Sequence, residues 1–290
     1  GIIAGGPYNC AQGSLSQATT QAGGYGWCME HPENMPYNFL QQLYDDARTL
    51  ETQGAIDPLS NLKDDKVYIL HGTLDITVDP QVGAKTKPWY EMAGVPSSNI
   101  NYVTYETGHT YPTDSWGNPC HFDTEPPWVS NCGYDTAGET LEYIHGPLNP
   151  KKNFGDLDGR YIEFDQSEFV DPAPNSMQPK GVAYVPQSCD QGEECRVHVF
   201  FHGCEQIYDS VPSDRVGDNS SFDGQGVWSK PYPTVGDTMW TKTGLNEWAD
   251  TNNFIILYPQ VDKAYSPFNP KGCWDWWGYT DADYATRNGR

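Results

Sequence analysis

Two residues have the types and the spacing of a proton-transfer pair. Asp75 lies in HGTLDITVDP, residues 71–80, and His109 lies in YETGHTYPTD, residues 105–114. Each follows an apolar run, VYILH at 67–71 and NYVTY at 101–105, of the kind that forms a strand of a buried parallel sheet. Loops at the carboxyl ends of such strands are where α/β proteins carry functional groups. A loop histidine can act as a general base, and a carboxylate from the neighbouring loop can orient its ring and stabilise the imidazolium. The competing readings are a turn or helix-capping aspartate and a packing histidine. The pairing of two strand-end loops favours the chemical one. A third segment, VHVFFHGCEQ at 197–206, ends an apolar run in His-Gly. Backbone N–H groups at such a turn can meet a reaction oxyanion, and a plain strand-ending turn is the alternative.

Acyl transfer also needs a nucleophile. The serine elbow G-x-S-x-G does not occur in the 290 residues. The nearest look-alikes, Gly13-Ser14-Leu15-Ser16 and Val95-Pro96-Ser97-Ser98, lack the required glycines and the strand-to-helix setting. GDLDGR at 155–160 is faintly like a calcium loop but lacks the distal glutamate. No metal or organic cofactor is expected. The aromatic cluster Trp274, Trp276, Trp277 and Tyr279 reads as core or, beside an ester site, as a wall suited to an apolar polymer chain.

The elements that must position these groups follow from periodicity. Strands are expected at 1–5, 67–71, 101–105, 161–164, 181–185, 196–201 and 253–258. Helices are expected at 35–53, 83–93, 136–145 and 234–252. Their alternation predicts an α/β fold with a mostly parallel sheet flanked by helices. Residues 1–290 are expected to form one domain, because strong strands lie on both sides of the polar stretch near residue 150.

The chain carries 39 acidic and 17 basic residues, a net charge of −22, which excludes nucleic acid and anionic membrane surfaces as natural partners. Charged residues make up only 19% and aromatic residues 13%, the balance of a folded chain rather than a disordered one. The eight cysteines include no CxxC pair, so disulfides in an oxidising compartment are the better reading than zinc. They allow on the order of a hundred pairings. The nearest-neighbour set is Cys10–Cys28, Cys120–Cys132, Cys189–Cys195 and Cys204–Cys273. Asn219-Ser220-Ser221 is an acceptor for N-glycosylation, which fits a secreted, extracellular protein.

At these residues the sequence resembles the fungal-type extracellular polyhydroxybutyrate depolymerases, circularly permuted α/β-hydrolases related to feruloyl-esterase-like enzymes. The likeness runs from GIIAGGPYNCA through HGTLDITVDP, GHTYPTD, NCGYDTAGETLEYIHG, GVAYVPQSC, HVFFHGC and LNEWADTNNFIILYPQ to GCWDWWGY, nearly the whole chain. It implies Asp75 as the acid of a Ser-His-Asp triad, His109 as the base and the Cys204 N–H as an oxyanion donor. It further implies Trp276 and Tyr279 at the crevice for the polymer, although the family usually carries tryptophan where Tyr279 stands. The order of segments, with Asp75 and His109 ahead of HGC, is that of a permuted chain. The resemblance also implies a serine elbow upstream of residue 1 and a helix after the GCWDWWGY segment, so the domain is expected to be incomplete at both ends. A docked fragment of the same protein is then a further expected partner. The implied activity is ester hydrolysis on a polyester, or on feruloyl and other small esters. A non-catalytic binding or matrix-forming protein on the same scaffold is the rival reading.

Overall fold

The computed structural model describes residues 1–20, 23–121, 126–170, 175–210, 219–222, 228–231 and 234–289, with 219–222 and 228–231 described by their backbone alone. Contacts divide the chain into two units, Gly1–Thr110 with Asp275–Arg290, and Tyr111–Trp274.

In the first unit, strands β1 (Ile2–Ile3), β2 (Val67–Gly72) and β3 (Ile100–Tyr105) form a parallel sheet in the order β1-β2-β3. Its helices are α1 (Leu15–Ala18), α2 (Phe39–Thr52), α3 (Pro80–Gly83) and α4 (Thr86–Met92). β2 is the central strand and all six of its residues are buried, which is why it reads as a continuous apolar run rather than an alternation. Gly72 pairs with Tyr105, so β2 and β3 end level and their following loops emerge side by side. Asp79 caps α3 by accepting a hydrogen bond from Gln81 N–H, and Pro80 supplies the first helical residue. α2 buries Phe39, Leu43 and Ala47, a stripe spaced by one helical turn, in a cluster with Leu59, Trp89, Ala93 and the Cys10–Cys28 pair. The segment after Asp275 is tied to this unit: Tyr8 Oη donates to Ala285 O at 2.7 Å and Gly13 N–H donates to Tyr284 Oη at 2.7 Å.

The second unit opens with β4 (Tyr111–Thr113), β5 (Asn118–Pro119) and β6 (Val129–Asn131), a small parallel sheet ordered β4-β6-β5. Then come α5 (Thr136–His145), β7 (Arg160–Asp165), β8 (Lys180–Val185), α6 (Gln187–Asp190) and β9 (Arg196–Val199). The hairpin strands β10 (Asn219–Phe222) and β11 (Trp228–Pro231) follow, then α7 (Thr238–Thr241), α8 (Leu245–Asn252), β12 (Phe254–Tyr258), β13 (Ala264–Tyr265) and β14 (Phe268–Asn269). The main sheet is ordered β7-β8-β12-β9. Its core joins Tyr184, Phe254, Ile256 and Tyr258 of the strands to Ala137 and Leu141 of α5 and Leu245 and Ala249 of α8.

Three expectations are corrected. The β7-β8-β12-β9 sheet is not mostly parallel: only β12 and β9 pair in parallel, and the β7–β8 and β8–β12 pairings are antiparallel. The helix expected at 234–252 breaks into α7, which ends at Thr241, and α8, whose N-cap Gly244 takes φ +82°, a left-handed conformation that a continuous helix does not allow. The helix expected at 83–93 likewise forms as two short pieces, α3 and α4.

Candidate active site

Asp75 and His109 meet at the carboxyl ends of β2 and β3. His109 Nδ1 lies 2.9 Å from Asp75 Oδ2. An ionised carboxylate only accepts, so Nδ1 carries the hydrogen and Nε2 is the basic nitrogen of that tautomer. The two loops are joined by backbone: Thr73 N–H donates to Tyr105 O at 2.8 Å and Leu74 N–H to Thr107 O at 3.0 Å. Gly72 makes the approach close enough. A Cβ there would stand 2.3 Å from Thr107 O and 2.5 Å from Gly108 O.

The carboxylate is held on both oxygens. Asp75 Oδ1 accepts from Thr77 N–H at 2.9 Å and Val78 N–H at 2.7 Å. A second histidine, His71, places its Nε2 3.3 Å from Oδ2. The Asp75 side chain is 0% exposed and that of His109 24% exposed, so the acid is shielded while the base reaches the surface. Burial alone would raise the Asp75 carboxyl. The hydrogen bonds from His109 and His71, the charge of His109 and the Val78 N–H outweigh it and hold the group down at about 2.

The HGC turn of the second unit is fixed at nearly every residue. His202 Nδ1–H donates to Gly203 O at 2.8 Å, and its Nε2 accepts from Val261 N–H at 3.3 Å. Burial pushes that ring down to about 4, so it is a neutral brace. Gly203 N–H donates to Gln206 Oε1, and Gln206 Nε2 donates in turn to Pro127 O at 3.1 Å. Glu205, at φ +59°, donates its N–H to Lys271 O at 2.7 Å, and Cys204 is bonded to Cys273. Among the described residues the Cys204 N–H itself donates to no hydrogen bond.

Trp276 packs half-buried against the Cys10–Cys28 cluster of the first unit, and its ring centroid is 5.5 Å from that of Trp277. Tyr279 lies 5.0 Å from Trp277 on the same measure, and its N–H donates to Asp275 Oδ1 at 3.0 Å. Cys120 pairs with Cys132 and Cys189 with Cys195, which completes the four bonds named from the sequence. Asn219 begins β10, where side chains lie outside the described residues. The calcium-like loop has a cation of its own: Lys152 pairs with Asp158.

No family model matches the chain. A poly(3-hydroxybutyrate) depolymerase of Delftia acidovorans is 37% identical over 292 residues, which cover 100% of this chain and 51% of that protein. The chain thus spans about half the length of that relative. A polyhydroxybutyrate depolymerase of Talaromyces funiculosus is 35% identical over 297 residues, covering 96% of this chain and 74% of that protein. The chain belongs to the polyhydroxybutyrate depolymerases.

Two solved structures of this depolymerase family match at a TM-score of 0.79 and 33% identity, each covering 99% of this chain and 81% of the other. One is the crystal structure of the Penicillium funiculosum PHB depolymerase, and the other is a PHB depolymerase complexed with an R3HB trimer. The depolymerase family is one of carboxylic ester hydrolases, and the Asp75–His109 pair is an arrangement fit for moving a proton in such chemistry. Sequence reasoning missed His71. It stands inside HGTLDITVDP, but the apolar run VYILH absorbs it as a strand residue.

Proposed function

We propose that this chain is part of a secreted serine esterase that hydrolyses a poly-3-hydroxybutyrate-like polyester. The reading is carried by the 2.9 Å bond between Asp75 and His109 at the ends of adjacent parallel strands. In it, a serine hydroxyl from a stretch of the protein outside these 290 residues attacks the ester carbonyl. His109 Nε2 takes the proton and returns it to the leaving alkoxide, and Asp75 orients the ring and stabilises its charged form. Water then releases the acyl-enzyme with His109 as base. The Cys204 N–H is the proposed oxyanion donor, supported by a turn in which that donor has no acceptor among the described residues. Trp276 and Tyr279 are the proposed polymer contacts. Exposed Leu74 and Ile76 on either side of Asp75 add an apolar rim that suits a polyester better than a charged substrate. Four disulfides support secretion, and no helix among the described residues is long and apolar enough to cross a membrane.

The test uses the full-length secreted protein, with release of 3-hydroxybutyrate from polymer film as the readout and a fluorophosphonate as the serine label. Labelling and release are expected. His109→Ala is expected to lower kcat roughly 10⁴-fold while leaving the fold intact. A folded protein that neither labels nor hydrolyses would instead be the non-catalytic binder of the rival reading. Turnover of feruloyl or other small esters without polymer would move the substrate class.

A further inference from the structure

We propose that His71 is a positioning residue for the acid of this pair, locking the Asp75 carboxylate in the rotamer that His109 needs. The proposal rests on the reading of Asp75 and His109 as the proton-transfer pair. His71 is fully buried in β2, the central strand, where an aliphatic side chain would pack without loss of hydration. Its Nε2 is 2.8 Å from Val78 O, so that nitrogen carries the hydrogen. The same N–H lies 3.3 Å from Asp75 Oδ2. Its Nδ1 has no hydrogen-bond partner among the described residues, so all the ring's bonding is directed at the 75–78 turn.

Val78 is therefore held by both of its main-chain groups. Its N–H donates to Asp75 Oδ1 at 2.7 Å and its C=O accepts from His71 at 2.8 Å. The turn closes into a ring of hydrogen bonds around the carboxylate, and Asp75 cannot rotate without breaking two of them. Gly83, the last residue of α3, is fitted to this arrangement. A Cβ there would stand 2.1 Å from His71 Nδ1 and 2.7 Å from its Cε1, and Gly83 has no positive φ that would otherwise call for glycine. The helix leaves room for the ring and for little else. The ionisable groups acting on His71 are Asp75 and Asp79 of its own loop, and His109 of the adjacent loop reaches it through Asp75.

Three variants of the full-length protein test this. His71→Phe keeps the ring and removes the donor, His71→Gln returns an N–H near the Nε2 position, and Gly83→Ala crowds the imidazole in place. On a soluble ester, His71→Phe is expected to lower kcat roughly 10- to 100-fold with KM within about twofold, and to move the acidic limb of the pH–rate profile. His71→Gln should recover most of the loss, and Gly83→Ala should lower kcat in the same sense. The low-field Nδ1–H resonance of His109 should be present in wild type and His71→Gln and lost in His71→Phe. That NMR signal needs no turnover, so an inactive wild type would defeat the esterase reading and leave this one to be judged on the resonance. A folded His71→Phe with unchanged kcat and an intact His109 signal overturns the proposal. If His71→Phe does not fold, Gly83→Ala with wild-type kcat and resonance overturns it.

Discussion

Asp75 carries a charge in a place where water cannot reach it, and the donors around it fix both its chemistry and its share of stability. Its carboxyl falls from an ordinary 3.8 to about 2 on folding. A depressed acid stabilises the fold above its unfolded value, and the contribution fades as pH falls through the folded one. That fall is worth about 2–3 kcal/mol, nearly all present at pH 5 and above and mostly gone at pH 2. Asp75→Asn removes that dependence and places an amide N–H where His109 and His71 also donate. Urea unfolding at pH 7, 5, 3 and 2 should show wild type well above the variant at the first two values. The gap should close by about 2 kcal/mol between pH 5 and pH 2. A gap constant with pH would mean that the carboxyl is not depressed. Activity should fall far more than stability, by roughly 10⁴-fold in kcat, because the amide holds the wrong tautomer of His109.

What brings Asp75 to His109 is the level ending of two neighbouring strands, and Gly72 is the residue on which that ending turns. A methyl group at 72 would meet two carbonyl oxygens of the backbone at 2.3 and 2.5 Å, and neither can swing away as a side chain would. Gly72→Ala must therefore push the 107–109 loop off the 73–75 loop. The expected cost is about 1–3 kcal/mol in unfolding free energy, with kcat lost roughly 100-fold or more as His109 shifts. Crowding at a site that could relax would give a small loss of both; a variant as active as wild type would show that the loops re-pack. Elements of this kind were legible in the sequence where their cause is local. β2 shows as an apolar run because it is buried on both faces, and α2 shows through the Phe39, Leu43, Ala47 stripe. α5, expected at 136–145, forms at Thr136–His145 between its Asp135 cap and Gly146. Other features have causes that act at a distance. The antiparallel β8 is set by how the chain returns after β7, which no strand pattern encodes. Gly244 passes as an ordinary helical glycine until its positive φ is seen. Of the candidate site, the acid and the base were legible from strand ends and residue type, whereas His71 was hidden because burial makes a histidine look like part of the run.

At the scale of the whole molecule the dominant quantity is a net charge of −22 on 290 residues. Several of the few cations are already committed: Lys151 to Asp114 and Asp135, Lys152 to Asp158, Arg160 to Asp190 and Lys180 to Glu163. Most of the 39 carboxylates must then face water and one another. Two effects of salt compete. Screening weakens the ion pairs, each worth only about 0–1 kcal/mol at an exposed site. It also weakens the mutual repulsion of the surplus carboxylates, which acts across the molecule while the screening length is near 30 Å at 0.01 M and vanishes as that length falls to about 3 Å at 1 M. With more than two acids for every base, relief of repulsion wins. The melting temperature should rise with added sodium chloride, by roughly 2–6 °C for a gain of 1–2 kcal/mol, and most of the rise should come below about 0.3 M. Early saturation separates screening from a general salting-out effect, which grows steadily to high concentration. A fall in melting temperature over the same range would mean that the ion pairs outweigh the repulsion, and that the acidic surface is arranged for pairing rather than for salty surroundings.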